Sequence, residues 1–161
     1  MRTIAAVVLG YIVMAIFVMT GLTVAWYLMG PQRAFNEGTV EVSVAWIAVN
    51  LPLSLAAAVL GGCVASRVGD HPRSLPVYAL AGLVLALGVV SAGLQSSAER
   101  PSPEVPVDEL TTTEAAKFAI QPAWYGFVLP LIGVGGVLAG GAVARKAKES
   151  RGESSGGDSG L

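Results

Sequence analysis

Residues 42–66 read VSVAWIAVNLPLSLAAAVLGGCVAS, 25 positions without a charge, bounded by Glu41 on one side and Arg67 on the other. A helix needs about 20 mainly apolar residues to cross a hydrocarbon layer roughly 30 Å thick. A lone segment in lipid satisfies its own N–H and C=O groups only as a helix. The stretch therefore predicts a transmembrane helix, and the rest of the chain repeats the pattern. Residues 3–29 are uncharged over 27 positions, and residues 123–144 over 22. Residues 75–97 also lack charge, their apolar part ending near Leu94. The expected fold is all-α, a four-helix transmembrane bundle in one domain over residues 1–145, with spans at about 3–29, 42–66, 75–95 and 122–145.

Composition agrees with this. Of 161 residues, 53% are hydrophobic and 13% charged, where soluble domains carry about 25% charged residues. A net charge of −1 offers no basic face for nucleic acid. Cys63 is the only cysteine, which excludes an internal disulfide framework. It has no second Cys or nearby His to complete a metal site, and no cofactor is expected. The first span is longer than the 7–15-residue apolar core of a signal peptide and lacks a small-x-small cleavage site. It reads as an uncleaved helix with Trp26 and Tyr27 as interfacial anchors at its far end, as Trp46 and Trp124 are for the second and fourth spans.

The basic residues set the orientation. With the amino terminus inside, the inner segments hold Arg2, Arg67, Arg73, Arg145, Lys146, Lys148 and Arg151, seven of ten. The outer segments hold Arg33, Arg100 and Lys117. The positive-inside rule thus places both termini in the cytoplasm. The run from Arg145 to Arg151 reads as a stop-transfer anchor, or as a patch for anionic lipid.

The first outer loop opens with the turn signal Gly30-Pro31. The inner loop, residues 67–74, is short and makes the second and third spans antiparallel neighbours. It holds His71, the only histidine, read as a solvated turn residue rather than a pH sensor. In the second outer loop, Thr111 and Glu114 fit a capping box. They predict a short amphipathic helix through Ala115, Phe118 and Ile120, ending near Pro122. The loop's carboxylates (Glu99, Glu104, Asp108, Glu109 and Glu114) lack the fixed spacing of a cation cage. Residues 146–161 are expected to be a cytoplasmic tail, basic at first and disordered from Gly152.

Shifting the sequence by 78 residues lays the second span on the fourth. Trp46 falls on Trp124, Leu51-Pro52-Leu53 on Leu129-Pro130-Leu131, Val59-Leu60 on Val137-Leu138, Gly62 on Gly140 and Arg67 on Arg145. The same shift lays Leu9-Gly10 on Leu87-Gly88. The implied arrangement is two repeated helical hairpins of like orientation. Pro52 and Pro130 each remove a helical hydrogen bond, with Asn50 and Ser54 beside the first to satisfy freed groups. Gly136 and Gly140 form GxxxG, and Ala58 and Gly62 repeat the spacing, giving small faces for close helix packing within the bundle or across a dimer.

No Asp, Glu, Lys, Arg or His lies inside a span, where proton-coupled pumps and voltage sensors place such groups. No nucleophile–base pair or metal-ligand spacing appears either, so an enzyme is not expected. The segments Trp26-Tyr27-Leu28-Met29-Gly30-Pro31, Glu41-Val42-Ser43 with Trp46, and Gln121-Pro122-Ala123-Trp124 resemble those of small, uncharacterised bacterial four-span membrane proteins. That resemblance covers most of the chain except the tail and implies a bacterial inner-membrane location. The expected function is a non-enzymatic accessory or structural membrane component, acting through helix packing and its outer loop. Its partners are the lipid bilayer and itself or another membrane protein. The alternative is a small transporter or pore gated at the paired proline kinks, Pro52 and Pro130 with Asn50.

Overall fold

The four charge-free runs form four long helices: α1 (Arg2–Ala34), α2 (Val44–Val68), α3 (Leu75–Ser97) and α4 (Ala123–Ser155). All four are long and apolar enough to cross a membrane, the architecture of a multi-pass membrane protein. The structure, a computed structural model, describes residues 2–36, 41–69, 75–97 and 120–155. His71, Arg73 and the expected loop helix up to residue 119 lie outside the described residues. Ile120, its expected last apolar position, is not helical: it pairs with Glu41 in a parallel bridge.

The helices differ from expectation at their ends. α1 breaks at Gly30, with φ +68° and ψ 169°, a conformation that glycine alone adopts without strain. The Gly30-Pro31 turn signal is thus realised as a kink, after which one more turn carries the chain to Ala34. α4 runs ten residues past Arg145 to Ser155, beyond the span end expected at 145, and residues 156–161 of the expected tail lie outside the described residues. A helix already nucleated in the membrane extends at little cost, and Ala147, Lys148 and Glu149 are good helix formers. Arg145 and Glu149 also have the four-residue spacing of opposite charges, in the weaker of its two orders.

One residue joins α1 to α2. Ser43 is the N-cap of α2, its Oγ accepting from the Trp46 N–H at 3.1 Å. The same hydroxyl donates to the Arg33 carbonyl at 2.6 Å, and the Ser43 N–H donates to the Ala34 carbonyl at 2.8 Å. Two helix ends that would each leave orphan backbone groups therefore satisfy one another. Ser43→Ala is expected to lower stability by about 1 kcal/mol or somewhat more, read as a lower midpoint of denaturant unfolding in micelles. An unchanged midpoint would show that the hydroxyl is dispensable.

α2 and α4 share the most extensive contact; α1 packs on α2, and α3 on α4, with α1 and α3 meeting less. Arg2, Arg67 and Arg145 lie at one end of the bundle, the basic end. Trp26, Trp46 and Trp124 lie at the other, the aromatic end. All four helices meet in the half nearer the basic end, where Ala58, Ala65, Val77, Leu80, Ala81 and Val137 form a buried cluster packed on by Val7 and Met14. A second cluster, Ala34, Phe35, Val42 and Trp46, closes the aromatic end over α1 and α2 alone.

Candidate functional site

Small residues decide how closely α2 and α4 approach. Because lipid offers helices no hydrophobic drive to associate, close van der Waals packing must hold them together. A Cβ built on Gly62 would overlap the Val137 carbonyl of α4, and one built on Gly140 would overlap the Val59 carbonyl of α2. These four positions are the pairs related by the 78-residue shift. Between them, a Cβ on Gly136 would lie 2.6 Å from the Ala58 Cβ, and those two positions are also related by 78. The GxxxG of α4 is therefore occupied inside the bundle by Leu55, Ala58, Val59 and Cys63. It does not present an outward dimerisation face.

Two side chains of α2 add polar contacts to this seam. The Cys63 Sγ donates to the Gly140 carbonyl at 3.2 Å, and the Ser66 Oγ to the Gly141 carbonyl at 3.4 Å. Both donors find acceptors without leaving the apolar interior, which matters where unpaired polar groups cost most. Cys63 is thus a packing residue of the seam.

The two prolines sit in unlike surroundings. Pro52 is exposed on the outside of α2, whereas Pro130 is buried. The Pro130 ring occupies the space above Gly88 of α3, where a Cβ would overlap it. Gly10, the repeat partner of Gly88 by sequence, instead lies against Gly61 of α2 and Leu80 of α3. The first and third spans therefore pack at different registers on their partners. In both helices the ring removes one backbone hydrogen bond, but only in α4 does it fill a contact. We expect Pro52→Ala to stabilise the bundle relative to Pro130→Ala by about 1–2 kcal/mol, since the second also leaves a void. Equal shifts in unfolding midpoint would contradict this.

Asn50, the candidate hinge residue, is 5% exposed. Its Oδ1 accepts from the Ser54 Oγ at 3.2 Å, so the two side chains satisfy each other. That hydroxyl does not serve the carbonyl freed by Pro52. Tyr125 is fully buried, and its hydroxyl has no hydrogen-bond partner among the described residues. Sequence reading passed over it because Tyr beside Trp124 at a span end resembles another interfacial aromatic.

The aromatic residues divide by face. Trp46, expected at the lipid interface, is 8% exposed. Its ring meets Trp26 edge-on at 5.0 Å between centroids, and Trp26 in turn meets Phe35 at 5.5 Å. Trp46 is therefore packed inside the chain, where Ser43 folds the start of α2 back onto the end of α1. Tyr27 and Trp124 remain outward, at 75% and 53% exposed. Backbone pairs extend this cap: Phe35 bridges Val42 antiparallel, Asn36 N–H donates to Glu41 O at 2.9 Å, and Val42 N–H to Ile120 O at 3.0 Å. The segment between α1 and α2 is thus tied to the residues just before α4.

No group of His, Cys, Asp and Glu able to hold a metal occurs among the described residues. The chain matches no family model, no curated protein and no solved structure.

Proposed function

We propose that this protein is a non-enzymatic accessory or structural component of a bacterial inner membrane, acting through helix packing and its tied outer loops. The observation that carries the reading is the α2–α4 seam, where Gly62 and Gly140 bring one helix's carbonyl against the other's backbone. A seam this close supports a fixed scaffold. The wedging of Pro130 over Gly88 supports it too, because a hinge needs freedom that a filled contact removes. Both termini are read as cytoplasmic from the basic residues at their end of the bundle. We also read the chain as two repeated hairpins, supported by the reciprocal pairs Gly62 with Val137 and Gly140 with Val59. The differing registers of α1 and α3 limit that likeness to the central helices.

Crosslinking in native membranes tests the proposal. A discrete crosslinked species, either self-associated or with another membrane protein, is the expected result. Solute flux in reconstituted vesicles, lost in a Pro52→Ala, Pro130→Ala double variant, would overturn it in favour of a gated pore.

A further inference from the structure

The basic end of the bundle carries a collar of cationic side chains at a depth set by the helices themselves. Ala144 of α4 and Ala65 of α2 are buried, and beyond them Arg67, Arg145, Lys146 and Lys148 are exposed, as is Arg2 at the start of α1. At about 1.5 Å per residue, Arg145 to Lys148 span roughly 2–6 Å past the last buried position of α4. The headgroup layer of a bilayer is about 5–8 Å deep on each side of its hydrocarbon core. Because α4 continues unbroken to Ser155, these charges are carried on a helix that is continuous with the packed bundle.

We infer that this collar, Arg67 with Arg145, Lys146 and Lys148, is a binding surface for the phosphodiester headgroups of anionic phospholipids. It gathers them around the end of the bundle that carries Arg2, Arg67 and Arg145. The attraction acts at the membrane surface and weakens within a Debye length, so salt reduces it. The inference rests on the chain's lying in a membrane and not on whether it serves as scaffold or pore; flux through the bundle would leave it standing.

The test uses the full chain in vesicles of equal parts phosphatidylcholine and phosphatidylglycerol, with spin-labelled forms of each lipid reporting their relative association with the protein. At low salt the wild type is expected to prefer phosphatidylglycerol by about fivefold or more, the effect of one well-placed basic group. Joint replacement of Arg67, Arg145, Lys146 and Lys148 by Gln should bring the preference close to unity, while Arg33→Gln at the opposite end leaves it unchanged. If the quadruple variant fails to fold, Lys146→Gln with Lys148→Gln, both beyond the packed core, should at least halve the preference. A preference that survives in the folded variants, that Arg33→Gln reduces equally, or that is absent from the wild type would overturn the inference.

Discussion

Gly140→Ala is expected to destabilise the bundle by about 3 kcal/mol, at the upper end of what one added methyl costs in a packed interior. The new carbon would overlap the Val59 carbonyl and lie 2.8 Å from the Val59 carbonyl carbon and 3.0 Å from the Cys63 nitrogen. These are backbone atoms that cannot rotate aside, so the helices themselves must part. Parting them weakens dispersion contacts along the whole seam and lengthens the Cys63 hydrogen bond to the Gly140 carbonyl. Gly62→Ala should cost a similar amount, since it drives a carbon into the Val137 carbonyl. The double variant should cost clearly less than the sum, because helices already separated by one methyl have room for the other. Gly135→Ala is the control. A Cβ there meets nothing within 4 Å, so the substitution should be neutral or stabilising by up to about 1 kcal/mol through helix propensity. Denaturant unfolding in mixed micelles reads all four variants. Full additivity, or equal effects at Gly135 and Gly140, would contradict the seam.

Trp46→Ala should cost about 3 kcal/mol, comparable with other large-to-small changes at buried aromatic sites. The loss combines the volume of the indole with its edge-on contact to Trp26 at 5.0 Å, a geometry worth roughly 1 kcal/mol beyond burial. With Trp46 gone, the cluster of Ala34, Phe35 and Val42 loses its largest α2 side chain, and the bridge between residues 35 and 42 should loosen. Hydrogen exchange at the amides of Asn36 and Val42 would report that loosening directly. Tyr27→Ala, one residue from Trp26 but 75% exposed, should change stability by less than about 0.5 kcal/mol. Equal losses for the two aromatics would mean that both act as interfacial anchors.

The four spans were legible because the bilayer enforces them: length without charge leaves a segment such as residues 42–66 few other states. The two ends of three of the helices were distinguishable for a related reason, with Trp near one end and Arg near the other. Direction around each helix was not. Trp46 and Trp124 occupy equivalent sequence positions, yet one is buried and the other exposed, because only α2 is folded back by a capping Ser43. That cap had a visible signal, a Ser directly before an apolar run. Its second bond, to the carbonyl of Arg33, depends on where α1 ends and has no sequence signature. GxxxG announced a close helix contact without naming the partner, which α2 turns out to supply. The prolines misled in a similar way: identical spacing suggested a matched pair, but Gly88 receives the Pro130 ring, whereas Pro52 is exposed. The continuation of α4 to Ser155 was missed because Gly152 and the serines beyond it were weighed without the helix that precedes them.

The most direct test of the seam is a disulfide across it. Ala58→Cys and Gly136→Cys, placed together in a Cys63→Ala background, should form an intramolecular bond on mild oxidation in the membrane. Only a small adjustment separates the 2.6 Å between those Cβ positions from the roughly 3.8 Å that a disulfide prefers. The predicted result is a rapidly formed, reducible species that runs as a monomer with altered mobility. Failure to form it, or a crosslinked dimer in its place, would show that the small faces of α2 and α4 do not meet within one chain.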